Sequence, residues 1–494
     1  MNHLLKHGLI VASLTALFCF AISFVANAAE PQAKNVILFI ADGMGYNSDI
    51  MGAYWRTGKP DGLAYQKFPV KGSAATFCIR KHSNGDVQWN PETDFGYVPE
   101  EFWKGPEGAN YRHANTETTD SGASATAINA GHKTLNSRIN YSMTGERLEN
   151  FADLNYKAGR SVGVVATCQI SHATPAGATA HNINRGAYEE ISKEQIEDLP
   201  LTVLMGSGRP DYNNGRKIDK SADELNYQFV GGRDVWEKVS ANDGYKGWTF
   251  LDERADFAAL AAKTPDQSAK LPERVLGVAR SGGDLAPIDG DADNPESMIE
   301  RFTEETVATT PSLTEMALGA LNVLSQNENG FYLMLEGSNI DHANHSQNAA
   351  KAVLEHAAFS KAVDAVIDWV EKYSSWDETI MIVTGDHETG QIWGAGTFDD
   401  NNDNGKYRAK DGDVFNGFLP VLGSEKGEVP NVQYLSSGHT NSLVPIYIKG
   451  VGAENYAKFV RGADEKAGEM WNFDGTYIYD SDIFSIMTAA SGLK

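Results

Sequence analysis

At 494 residues and 41% apolar content, the chain has enough material for one large core or two small ones. Its 66 acidic residues outnumber 42 basic ones, for a formal charge of −24. That balance argues against a nucleic acid or an anionic lipid surface as the partner.

Taken from the start, residues 1–28 carry Lys6, an apolar run from Leu9 to Val25 and the small-residue site Ala26 to Ala28. A membrane anchor is the competing reading of that run. Ser13, Thr15 and Ser23 interrupt it, so it is read as an export signal. The expectation is a secreted protein, periplasmic or extracellular, with residues 29–494 forming a single catalytic domain and no anchor left after cleavage. Cys19 departs with the signal; Cys78 and Cys168 remain, as one bridge or as two separate buried thiols. Neither has sequence neighbours that suggest a reactive thiolate or a zinc–thiolate site.

Five apolar, β-branched runs come next: Asn35 to Ile40, Ser161 to Thr167, Phe331 to Gly337, Thr379 to Gly385 and Leu443 to Gly450. Without polar alternation they predict strands buried on both faces of a parallel sheet. Helical patterns lie between them at Thr310 to Gln326 and Ala349 to Tyr373. The expected class is α/β, a doubly wound, mostly parallel sheet flanked by helices. Polar stretches at Thr264 to Pro295 and Gly394 to Ser437 read as insertions, and the segment 391–437 is expected to overhang the site.

Chemistry-bearing residues cluster just past the strands. Asp42 comes after the first; His172 and Thr174 come after the second; Glu336 ends the third, with Asp341, His342 and His345 beyond it; Asp386 and His387 come after the fourth. Ligands gather beyond the carboxyl ends of strands in such sheets, so these side chains should converge, with His439 added from "SSGHTNS". Carboxylate plus imidazole suits zinc, while carboxylates with a threonine hydroxyl suit magnesium. Seven of these, Asp42, Glu336, Asp341, His345, Asp386, His387 and His439, are too many to be helix caps. Ser121, in "TDSGASATA", stays open between two readings: a helix cap, or a hydroxyl made easier to ionise by a helix N-terminus and nearby cations.

These motifs together resemble the alkaline phosphatase family. They are "ADGMGYNS" from Ala41, "TDSGASATA" from Thr119, "HATPAGATAHNINR" from His172, "EGSNIDHANH" from Glu336, "TGDHETG" from Thr384 and "SSGHT" from Ser436. The resemblance implies that Ser121 is the nucleophile and that Arg185 binds the phosphate of the substrate. It implies one zinc on Asp341, His345 and His439, a second on Asp42, Asp386 and His387, and a magnesium on Asp42, Thr174 and Glu336. Asp120 would orient Arg185. His172 and His342, a pair matching the animal rather than the enteric bacterial pattern, would support the magnesium and the phosphate without binding metal directly. Thr389 stands where many members have another histidine, which leaves the support of Asp341 open.

The implied activity is hydrolysis of phosphate monoesters through a phosphoserine, at alkaline pH and in a homodimer. A phosphodiesterase or sulfatase with the same two-metal core is the nearest alternative. "SGASA" lacks the proline and arginine of sulfatases, and Thr174 with Glu336 supplies a third site that phosphodiesterases generally lack. A secreted metal- or phosphate-binding protein without turnover is the alternative of a different class. Asp400, Asn402, Asn404 and Asp411 match calcium-loop spacing, although Arg408 and the lack of flanking helices favour a solvated loop.

Overall fold

The computed structural model describes residues 32–79, 96–103, 118–266, 271–289, 304–397, 417–423 and 425–494. The segment read as an export signal and the residues of the calcium-loop reading lie outside these. Eleven strands form one sheet. In chain order the main elements are β1 (Asn35–Ala41), α1 (Tyr46–Thr57), β2 (Val70–Ala75), α2 (Ser121–Ala130), β3 (Ser161–Gln169), α3 (Ala173–Gly177) and β4 (Val203–Ser207). They continue with β5 (Thr249–Leu251), β6 (Val275–Val278), α4 (Leu313–Leu324), β7 (Phe331–Gly337), α5 (Asn339–His345), α6 (Ala349–Tyr373) and β8 (Thr379–Gly385). The last are β9 (Val444–Gly450), β10 (Gly462–Ala463), β11 (Thr476–Tyr479) and α7 (Asp482–Ser491).

The sheet runs β10-β11-β2-β9-β8-β1-β7-β3-β4-β6-β5. From β8 to β5 every neighbouring pair is parallel. Alternation along β1 divides its side chains between two cores. Val36, Leu38 and Ile40 join a cluster with Ile483 and Ile486 of α7, whereas Ile37 and Phe39 join one with Met316 of α4 and Val363 of α6. The sheet is therefore covered on both faces, as unbroken apolar strands require.

Two sequence expectations are corrected. The strand expected at Leu443 to Gly450 is present as β9, but it runs antiparallel to both β8 and β2. A strand buried on both faces looks the same in either direction, so its composition carried no sense of polarity. The stretch Thr264 to Pro295, expected as an insertion, contributes β6 to the main sheet. Four residues between polar flanks are too few for a periodic signal.

Register brings the strand ends level. Ala41 of β1 pairs with Gly385 of β8 and with Gly337 of β7, and Ala166 of β3 pairs with Glu336. Asp42 and Asp386 thus emerge level at the same edge, with Glu336 two positions before them on β7 and α5 directly after it.

Candidate metal centre

Ser121 is the first residue of α2, and Asp120 is its N-cap. Asp120 Oδ1 accepts from the backbone N–H of Ala123 at 2.9 Å. Its Oδ2 accepts from Ser137 N at 2.9 Å and from Arg185 Nη1 at 3.1 Å. One carboxylate therefore starts the helix, fastens the next loop and holds the guanidinium. The small residues of α2 have a packing cause: a Cβ on Gly177 of α3 would fall 2.4 Å from Ala125 Cβ. At the helix start Ser121 Oγ lies 3.3 Å from His387 Nε2, and both residues are buried.

Around this point the strand ends converge. Asp386 Oδ1 accepts from the backbone N–H of Gly43 at 3.1 Å and of His387 at 2.9 Å, while its Oδ2 accepts from Ser124 Oγ at 3.2 Å. His387 Nε2 is 3.2 Å from Asp386 Oδ2 and 3.5 Å from Asp42 Oδ1. Beside it, His345 Nε2 is 3.2 Å from Asp341 Oδ2 and 3.1 Å from His439 Nε2. The rings of His387 and His439 stack with centroids 3.6 Å apart. Gly43 adopts φ +75°, and a Cβ there would sit 2.6 Å from Asp341 Cα, so only glycine permits this approach.

Each imidazole is oriented from behind. His345 Nδ1 contacts the Ser437 carbonyl at 2.6 Å, and His439 Nδ1 contacts the Thr119 carbonyl at 2.7 Å. Carbonyl oxygens only accept, so both Nδ1 atoms carry the hydrogen and both Nε2 atoms face inward. Thr389 Oγ1 donates to Asp341 Oδ1 at 2.5 Å and lies 3.3 Å from His387 Nδ1, from which its oxygen can accept. The support of Asp341 that the sequence left open is a hydroxyl in place of a ring.

The family model for alkaline phosphatase matches residues 106–469. The chain belongs to the alkaline phosphatase family. It is 27% identical over 370 residues to alkaline phosphatase 4 of Bacillus subtilis, covering 73% of this chain and 62% of that one. It is 29% identical over 385 residues to the repressible alkaline phosphatase of Saccharomyces cerevisiae, covering 76% and 58%. The chain thus spans about three fifths of the length of these two relatives. The solved alkaline phosphatase of the Antarctic bacterium TAB5 shares the fold, with a TM-score of 0.59 at 20% identity over 94% of this chain and 100% of that one.

As a member of this family the chain is expected to hold divalent cations, and its donors fit them. Two Nε2 atoms 3.1 Å apart beside a carboxylate need a proton or a cation between them, and Asp341 raises His345 to about 9; nitrogens bound to one tetrahedral zinc at about 2.0–2.1 Å stand about 3.3 Å apart, so the spacing fits the ion as well. Both carboxylate oxygens of Asp42, Thr174 Oγ1 and Glu336 Oε1 are buried without a hydrogen-bond partner. Burial, then repulsion from Asp386 and Asp341, pushes the Asp42 carboxyl well above the ordinary range. Burial with Asp386 raises Glu336 to about 8, and burial with Asp341 raises Asp386 to about 7. Crowded buried carboxylates of this kind are relieved by positive charge. Ligand atoms lie within 4.8 Å of one another in three groups: Asp42 with Asp386 and His387, Asp341 with His387 and His439, and Cys168 with His172 and Glu336.

The remaining expected residues lie beside these groups. His172 is the N-cap residue of α3, its Nε2 3.5 Å from Arg185 Nη2. His342 Nδ1 is held by Asp284 Oδ2 at 2.7 Å, and the two histidine rings meet edge to face at 5.9 Å. Cys78 and Cys168 are both buried and are not joined in a disulfide. Cys168, without such a neighbour in sequence, has its Sγ 3.5 Å from Glu336 Oε2 in the fold. Its partner is on another strand, out of reach of local sequence. Ser124 was also missed, although it stands three residues after Ser121, a spacing that places both on one helix face.

Proposed function

We propose that this alkaline phosphatase hydrolyses phosphate monoesters through a phosphoserine at Ser121. The observation that carries the reading is the placement of Ser121 Oγ at a helix N-terminus, 3.3 Å from His387 Nε2, with Arg185 fixed nearby by Asp120. Asp341, His345 and His439 would hold one zinc; Asp42, Asp386 and His387 a second; and Asp42, Thr174 and Glu336 a further divalent cation. Bound there, these ions supply positive charge that lowers the pKa of the attacking hydroxyl and neutralises charge on the phosphoryl group.

Arg185 would offer its planar N–H donors to phosphoryl oxygens, and Asp120 holds its Nη1 at 3.1 Å. The free N–H groups at the start of α2 add partial positive charge at the same point. Ser121 Oγ bonds to phosphorus as the ester oxygen leaves with the alcohol. Water then cleaves the phosphoserine, which restores the hydroxyl and releases inorganic phosphate. Ser124 and Gly43 hold Asp386 in place throughout.

Export through residues 1–28, one catalytic domain over 29–494 and a homodimer belong to the same proposal. The test is turnover of p-nitrophenyl phosphate against bis(p-nitrophenyl) phosphate across pH, before and after chelation and return of zinc with magnesium. Monoester turnover rising toward alkaline pH and restored by metals supports it. Faster diester turnover contradicts it.

A further inference from the structure

We infer that Cys168 is a ligand of the third cation, giving that pocket a sulfur donor and a preference for a thiophilic ion such as zinc or cobalt over magnesium. The inference rests on the reading of Thr174 and Glu336 as a cation pocket. Cys168 lies near the end of β3 and is fully buried, as are Glu336 and Thr174. Its Sγ is 3.5 Å from Glu336 Oε2. A sulfur at about 2.3 Å and an oxygen at about 2.0 Å from one tetrahedral ion stand about 3.5 Å apart, so the pair already has the spacing of two ligands of one metal.

Two further atoms point to a ligand here. Glu336 Oε1 and Thr174 Oγ1 are buried and lack hydrogen-bond partners. Magnesium prefers all-oxygen, near-octahedral surroundings, and a thiolate at this position selects against it. On binding, the thiol gives its proton to solvent and the thiolate sulfur forms the bond to the cation.

The test is cobalt titration of the metal-free full chain, with absorption spectroscopy and metal counting after gel filtration. Wild type should take up three cobalt ions, the third accompanied by a near-ultraviolet thiolate-to-cobalt band. Cys168→Ser should keep three ions and lose the band, and magnesium should displace its third cobalt at an excess about tenfold or more lower than in wild type. Cys168→Ala, smaller and without a hydroxyl, gives the same comparison if the serine variant folds poorly. Three ions bound by wild type with no such band would overturn the assignment of Cys168 alone. Binding that stops at two ions overturns the third pocket itself, and Cys168 with it.

Discussion

The hydroxyl of Thr389 donates to Asp341 Oδ1 across 2.5 Å, and the same oxygen lies 3.3 Å from His387 Nδ1. One small side chain therefore orients a residue from each of two neighbouring ligand groups. Thr389→Val keeps the shape and removes the hydroxyl. Metal affinity, measured by competition with a chelator, should fall about 10–100-fold, as it does when other metal sites lose a supporting group. Thr389→Ser should restore most of it. Unchanged affinity in the valine variant would show that the contact has no role in holding metal.

Asp120 combines a cap with an ion pair, and Asp120→Asn separates the two. The amide oxygen can still accept from Ala123 N, but the amide NH2 would face the N–H donors of Ser137 and Arg185, so stability should fall by about 1–2 kcal/mol. The charge that holds Arg185 is lost, so KM for p-nitrophenyl phosphate and the inhibition constant of inorganic phosphate should both rise several-fold. A large loss of stability with KM unchanged would assign Asp120 to the helix alone.

Asp49 of α1 is buried and accepts from Tyr65 OH at 2.6 Å, Tyr447 OH at 2.7 Å and Gln66 Nε2 at 2.9 Å, with His356 Nε2 at 3.1 Å. Burial alone would raise its carboxyl; hydrogen bonds from His356, Tyr65 and Gln66 more than reverse that and hold it below the ordinary value. A carboxyl depressed in the folded state stabilises above its unfolded pKa, and that contribution fades as pH falls through the folded value. Asp49→Asn should therefore cost about 2–3 kcal/mol at neutral pH in chelator-treated protein. The gap to wild type should narrow below about pH 4, where the unfolded carboxyl takes up its proton. A gap that is independent of pH would show that shape, not charge, is what the asparagine disturbs.

Chelation should lower the melting temperature as well as activity, because cations bind the folded chain and not the unfolded one. Each site filled at about a hundredfold excess over its Kd adds about 2.7 kcal/mol. Calorimetry before and after chelation, with zinc and magnesium returned in turn, measures this. A melting temperature indifferent to both ions would leave the buried carboxylates unexplained.

The fold was legible where physics acts locally. Unbroken apolar runs marked β1, β3, β7 and β8, and the bounds of α6 match its periodicity. Direction and short strands were not legible: β9 has the same composition either way, and β6 offers only four residues. The metal-type residues could be picked out because strand ends collect them in sequence. Their supports could not, since Thr119 and Ser437 contribute backbone carbonyls, to His439 and His345, which no side chain advertises. Cys168 and Asp49 escaped for a related reason, as their partners lie far away in the chain and meet them only after folding.

The most direct measurement is mass spectrometry of protein quenched in acid during turnover of p-nitrophenyl phosphate. Phosphate should be found on Ser121, and Ser121→Ala should bind zinc as wild type does while losing both the phosphopeptide and nearly all turnover. Robust hydrolysis by Ser121→Ala, or a phosphate trapped on another residue, would contradict the covalent route.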